Sequence, residues 1–102
     1  MTTLADQQAA LDAAAVLART FSHLPAAYIA VSPVYPSQID IGLHEGLGDF
    51  ETWREALSLP PADVEYRTYG DGVFLRGRGK SLGANVEITG YAPVLAGQEV
   101  AR

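Results

Sequence analysis

The residue best suited to acid–base chemistry in this 102-residue chain is His44, which is followed by Glu45. An imidazole beside a carboxylate could act as a general base, because imidazole exchanges a proton near neutral pH. Neighbouring residues on a strand point to opposite faces, so these two side chains do not form a dyad by themselves. A small hydrolase or lyase with His44 in a pocket near Asp40 and Tyr35 is therefore only our third hypothesis, and we assign no catalytic residue.

Phosphate and metal chemistry find little support in the sequence. Gly42, Gly46 and Gly48 precede a predicted helix, but they lack the GxGxxG spacing and no lysine accompanies them. Asp49 would also place a carboxylate where a phosphate should bind. The chain has no cysteine, and its two histidines, His23 and His44, belong to no ligand-spaced motif. We therefore predict no cofactor and no metal site.

A basic strand is the feature most typical of nucleic-acid binding. The stretch FLRGRGK places Arg76, Arg78 and Lys80 on one face, and its glycines would let a flat partner approach. The net charge of −5 argues against attraction spread over the whole surface. The alternative is a solvated sheet face on which Arg76 and Arg78 pair with Glu65 and Glu87 on neighbouring strands. Nucleic-acid binding is our second hypothesis.

Outward-facing aromatic side chains support the first hypothesis. Tyr28, Tyr69, Phe74 and Tyr91 fall at alternate positions of predicted strands, on the side away from the apolar residues. Exposed aromatic residues on a sheet face often mark a protein interface. We therefore predict a non-enzymatic protein–protein interaction module, with a protein partner that includes a second copy of the chain in a homodimer.

The central element is a strand followed by a helix. Ile39, Ile41 and Leu43 alternate with polar residues or glycine, which is the period of a half-buried strand. Phe50, Trp53 and Leu57 then recur at helical spacing, and we place a helix over residues 49–59 with Asp49 as its N-cap. This change of period predicts a sheet whose inner side is covered by the indole of Trp53.

The other elements complete an α+β fold in the order αββαβββ. We predict one mostly antiparallel five-stranded sheet with two helices on one face, and a core that includes Leu11 and Ile29. A single domain over residues 1–95 and a frayed tail over 96–102 follow from length and composition. The remaining predicted elements are a helix over 3–23, which a Thr3–Asp6 capping box begins, and strands over 27–32, 64–69, 73–78 and 84–93.

The expected compartment is the cytoplasm, without a membrane partner. No apolar run approaches the roughly 20 residues of a membrane helix, and the first 18 residues lack the basic start of a secretory signal.

An alanine-rich first helix, a hairpin, the segment DFETWREAL and a closing VEITGY resemble small uncharacterised proteins of high-GC bacteria and their phages or mobile elements. The resemblance implies an accessory protein and transfers no functional residue.

Overall fold

The chain folds into two helices and a five-stranded sheet, in the predicted order αββαβββ. The computed structural model describes residues 1–70, 72–81 and 83–93. Helix α1 spans Gln8–Thr20 and helix α2 spans Leu47–Ala56, with short 3-10 turns at Leu4–Gln7 and Pro61–Asp63. The strands are β1 Tyr28–Ala30, β2 Gln38–Leu43, β3 Glu65–Tyr69, β4 Gly72–Ser81 and β5 Ala84–Pro93.

The sheet has the order β1-β2-β5-β4-β3. Strand β1 pairs antiparallel with β2, and β3, β4 and β5 form an antiparallel meander. The β1–β2 hairpin joins this meander through β2 and β5. These two strands run parallel, with Ile41 opposite Ile88. The sheet is therefore mostly antiparallel, as predicted, with one parallel pair. This pair joins strands that are distant in sequence, which is why the sequence alone does not specify it.

The core lies between the two helices and one face of the sheet. Alternation along β2 buries Ile39, Ile41 and Leu43, each at most 2% exposed. Helix α2 covers them with Phe50 and Trp53, and helix α1 contributes a narrow stripe of small residues and one leucine. The Trp53 indole is 4% exposed, and its Nε1–H donates to the carbonyl of Pro25 at 2.9 Å. The indole therefore fixes the segment that precedes β1 against α2, as well as contributing apolar burial.

Helix α2 is displaced toward the N-terminus from its predicted bounds. It begins at Leu47 after Gly46, whose φ of +116° favours glycine, so Asp49 lies in the first turn and is not the N-cap. It ends at Ala56, and residues 57–59 are not helical. Ser58 has a φ of +57°, and the Arg54 guanidinium donates to the carbonyl of Leu59 at 2.6 Å. This contact replaces the last helical turn that the leucine spacing had predicted.

Three glycines on the inner face of the sheet let the core approach the backbone. A Cβ built on Gly90 would lie 2.7 Å from the Cβ of Phe50, and one on Gly79 would lie 2.3 Å from a methyl of Leu59. Gly77 contacts the same two side chains. The glycines of FLRGRGK therefore face the protein's own core. The expectation that they admit a flat partner is wrong, because their strand positions alternate with the outward-facing cations.

Alanine substitutions at Gly90 and Gly42, two glycines of the central strands, should differ in their effect on the free energy of unfolding. Gly90→Ala places a methyl against the fixed Cβ of Phe50, and we expect it to lower the free energy of unfolding by about 1–3 kcal/mol. Gly42→Ala meets nothing closer than 3.5 Å, so its effect should stay within about 0.5 kcal/mol. Urea denaturation of both variants checks this, and equal midpoints would contradict the packing of α2 on β5.

Other predicted boundaries and core residues also change. Leu11 is 44% exposed and Ile29 is 42% exposed, so neither belongs to the buried core; Leu11 lies on the outer side of α1 and Ile29 on the short edge strand. Strand β1 is shorter than predicted, and β4 continues to Ser81 because it pairs with β5 along ten residues. Thr3 and Asp6 do form the predicted cap, at the 3-10 turn, where the Thr3 amide donates to the Asp6 carboxylate at 2.9 Å.

Some predictions fall outside the described residues. The predicted domain limit at residue 95 and the tail over 96–102 lie there, as does Asp71 of the predicted hairpin turn. Strands β3 and β4 nevertheless pair antiparallel, with Tyr69 opposite Gly72. Within the described ranges, no helix is both long and apolar enough to cross a bilayer.

Candidate interface on the open face of the sheet

The sheet side opposite the helices, here called the open face, is organised in rows that run across the strands. The registers place Arg78, Glu87, Asp40 and Ala30 in one row, which we call the charged row. The next row contains Glu65, Arg76, Thr89, Gly42 and Tyr28. Both rows follow from the strand period of two, which carries every second residue of each strand to this face.

An ion-pair network occupies the centre of the open face. Glu87 accepts a hydrogen bond from Arg78 Nε at 2.9 Å and lies 3.5 Å from Arg76 Nε. Arg76 also lies 3.9 Å from Glu65, which in turn lies 3.3 Å from Arg67. The hydrogen bond to Glu87 raises the pKa of Arg78 above its ordinary value. Arg76 and Arg78 therefore already have carboxylate partners, as the solvated-face alternative predicted.

An aromatic row borders this network. The rings of His44 and Tyr91 are stacked, with centroids 4.7 Å apart and planes within 3°. Tyr91 also contacts Phe74 at a centroid distance of 6.1 Å, and the Arg76 guanidinium lies 5.3 Å from the Phe74 ring centroid. These contacts, typical of aromatic and cation–π pairs, hold three rings in a row across β2, β5 and β4.

A groove of about 790 Å³ runs along the open face beside these rows. Gly42 and the buried Thr89 lie between Tyr28 on one side and Arg76 and Arg78 on the other, and Tyr35 also lines the groove. Its volume falls within the range of about 300–1,000 Å³ that is typical of small-ligand sites. The open face is therefore a concave surface of mixed charge and aromatic character.

The structure brings most of the predicted interface residues together. Tyr28, Phe74 and Tyr91 all lie on the open face. The backbone of Tyr69 lies opposite Gly72, but its side chain is outside what the structure describes. Three of the predicted aromatic residues therefore share one face with the arginine–glutamate pairs of the solvated-face alternative.

The basic strand is less available than its sequence indicated. Arg76 and Arg78 are paired with acidic residues, and Lys80, which is exposed, has no ion pair with any residue described. Of the three cations in the nucleic-acid hypothesis, Lys80 is therefore the one that has no carboxylate partner among the described residues.

The residues of the enzyme hypothesis share the groove without forming a catalytic pair. His44, Asp40 and Tyr35 all line it. His44 is exposed and stacks on Tyr91, but within the described ranges it has no hydrogen bond to Asp40 or to any other group. No cluster of three metal-ligating side chains occurs in the same ranges. The groove thus has room for a molecule, but no described residue holds His44 by a hydrogen bond in the orientation that a general base needs.

Sequence reasoning gave too little weight to Asp40. Its carboxylate accepts a hydrogen bond from the Gln38 amide at 2.6 Å and is half-buried beside Glu87 in the charged row. The available signal was the alternation of β2, which places Gln38, Asp40, Gly42 and His44 on one side. The missing information was the parallel pairing with β5, which brings this acidic strand next to Glu87.

Comparison of the chain with protein-family models, with curated proteins and with solved structures gives no significant match. The fold and the open face therefore define the class of the protein by themselves, as an α+β domain in which the described helices cover one face of the sheet. The resemblance to small accessory proteins stays a prediction.

Proposed function

We propose that this protein is a non-enzymatic interaction module that forms a homodimer through the open face. The observation that carries the proposal is the charge order of the charged row, in which an acidic residue on β2 and a basic residue on β4 lie on either side of β5. Such a row is complementary to a copy of itself. The proposal takes the cytoplasm as the compartment, with which the absence of cysteine is compatible.

A two-fold axis parallel to β5 would use this complementarity. Rotation about such an axis exchanges left and right across the sheet, so β2 of each copy faces β4 of the other. Arg78 then faces Asp40 of the second copy, and Phe74 faces His44. Tyr91 and Glu87, which both lie on β5, meet their own equivalents near the axis, and each Glu87 is already paired with Arg78 of its own chain. Opposite charges and aromatic rings therefore meet at related positions, which is the arrangement that a self-complementary interface requires.

An axis perpendicular to the strands is less favourable. It would place β4 of one copy against β4 of the other, and an axis between the rows of Arg76 and Arg78 would make these cations face each other. Like charges held opposite each other at an interface cost several kcal/mol. The distribution of charge over the open face thus favours the axis along β5. This axis in turn predicts which residue pairs meet.

Sedimentation of wild type and two tyrosine variants tests the proposal. Wild type should sediment with twice the 10.8 kDa mass of one chain. Tyr91→Arg places two cations together near the axis, and we expect it to raise the dimer dissociation constant by about 100-fold or more. The matched control is Tyr66→Arg, which changes an exposed tyrosine on the inner side of β3.

The control should leave the dimer intact. A wild type that sediments as one chain at high concentration would refute the homodimer. Equal loss of the dimer in both variants would show that the open face is not the interface.

A second candidate function is favoured by the shared groove of His44, Asp40 and Tyr35. In this alternative, the protein is a small hydrolase or lyase in which a bound substrate orients His44 as the general base. Its expected signature is loss of turnover in His44→Gln with an unchanged fold. Nucleic-acid binding through Arg76, Arg78 and Lys80 is the least favoured, because two of these cations have carboxylate partners.

A further inference from the structure

Asp40 differs from the other carboxylates of the open face in having no cation. Glu65 and Glu87 each lie within 4 Å of arginine nitrogens, whereas Asp40 forms no ion pair with any residue in the described part of the chain. Among the residues that the structure describes, its one side-chain hydrogen-bond donor is the neutral amide of Gln38. A half-buried carboxylate is partly desolvated, so it gains more from a cation than an exposed one does.

The groove beside Asp40 has the features that favour an organic cation. Tyr28 and Tyr35, which are 71% and 62% exposed, line it together with the His44 ring. Tyrosine faces attract ammonium and guanidinium groups, and the attraction increases when water is excluded. Glu65 and Glu87 lie within 4 Å of the arginines across the groove, which reduces the repulsion of these arginines for a bound cation.

Gly42 leaves room for the ligand between the carboxylate and the rings. It lies two residues after Asp40 on the same face of β2, and it pairs with Tyr28 across the strand. A Cβ built on Gly42 would lie 3.5 Å from His44 Nε2 and 3.7 Å from the Tyr28 Cβ, which are ordinary contact distances. A single methyl group fits there, whereas a larger side chain would fill the groove that Gly42 lines.

We infer that the groove binds a small organic cation, an ammonium or guanidinium group on a short aliphatic stem. Asp40 is its counter-ion, and the rings of Tyr28, Tyr35 and His44 surround its charged end. This site goes beyond the dimer, since it needs the residues of one chain only. In the proposed dimer, Arg78 of the second copy would face the same carboxylate, so a bound cation and dimerisation would compete.

A matched series of four-carbon compounds tests the inference. Butylammonium, 1-butanol and butyrate share a stem of the same length and differ in charge. Each is titrated into ¹⁵N-labelled wild type at a dilution at which sedimentation shows single chains. We expect butylammonium to shift the amide signals of Asp40, Gly42 and Tyr28 in a saturable manner, and the other two compounds to leave them unchanged.

Two variants identify the site. Asp40→Asn keeps the shape and removes the charge, and it should weaken butylammonium binding by about tenfold or more. Gly42→Val fills the groove above β2 and should abolish binding, while its amide spectrum shows that the fold is retained. Equal shifts from all three compounds, stronger binding of butyrate, or affinity unchanged in Asp40→Asn would each overturn the inference. Because one chain suffices, these results are independent of whether the homodimer forms.

Discussion

Replacement of Phe50 by alanine should lower the free energy of unfolding by about 3–5 kcal/mol. Phe50 is fully buried, and its ring lies on Gly90 and near Gly77 with no side chain between ring and backbone. Neighbouring atoms cannot fill the resulting cavity, because two adjacent strands present glycine there. Urea denaturation followed by Trp53 fluorescence measures the change.

The matched control for Phe50→Ala is Leu11→Ala. Leu11 is 44% exposed on α1, so its truncation should change the free energy of unfolding by about 0.5 kcal/mol or less. Native domains are stable by only about 5–15 kcal/mol, so the Phe50 variant should lose a large part of its stability. If Leu11→Ala cost as much as Phe50→Ala, the assignment of the core to the space between α2 and the sheet would be wrong.

Reversal of either charge at the ends of the charged row should disrupt the dimer. Asp40→Arg makes two cations face each other twice in each dimer, and Arg78→Asp does the same with two carboxylates. Because the two-fold axis repeats each contact, we expect either substitution to raise the dissociation constant by about 100-fold or more. Sedimentation velocity over a range of concentrations measures this change.

The control for charge reversal is a pair of charged residues that the proposed axis does not bring together. Asp12→Arg on α1 and Arg19→Asp at its last turn reverse the same charges on the helix side of the molecule. Both should leave the dissociation constant within about threefold of wild type, apart from a small effect of net charge. A dimer weakened by these changes as much as by Asp40→Arg would indicate a different interface.

The sequence predicted the fold where local periodicity determines it. The alternation of Ile39, Ile41 and Leu43 identified the inner face of β2, and the later spacing of Phe50 and Trp53 identified α2. Both features depend on residues within a few positions of one another, so their pattern is visible without knowledge of the rest of the chain.

Long-range pairing could not be predicted in the same way. The parallel contact between β2 and β5 joins residues 38–43 with 85–90, and no local signal in either strand selects the other. The charged row and the groove depend on this contact, because it places Asp40 beside Glu87 and His44 beside Tyr91. The alternation of single strands therefore indicated that Tyr28, Phe74 and Tyr91 face outward, but it did not indicate that Asp40 lies beside Glu87.

The ends of elements were also difficult to predict. Leu57 continues the helical spacing of α2, but Arg54 binds the carbonyl of Leu59 and the chain turns at Ser58. In β4, the glycines indicated a turn after Arg78, whereas long pairing with β5 extends the strand through Lys80 to Ser81. In both cases a tertiary contact outweighed the local preference.

The most direct test of the proposed dimer is sedimentation of an equimolar mixture of the Asp40→Arg and Arg78→Asp variants. Each variant alone should sediment as a single chain. In the mixed pair, each reversed residue faces an opposite charge, so we expect a species of twice the 10.8 kDa chain mass. A mixture that remains single-chain at concentrations where wild type is dimeric would contradict the axis along β5 and the interface built on it.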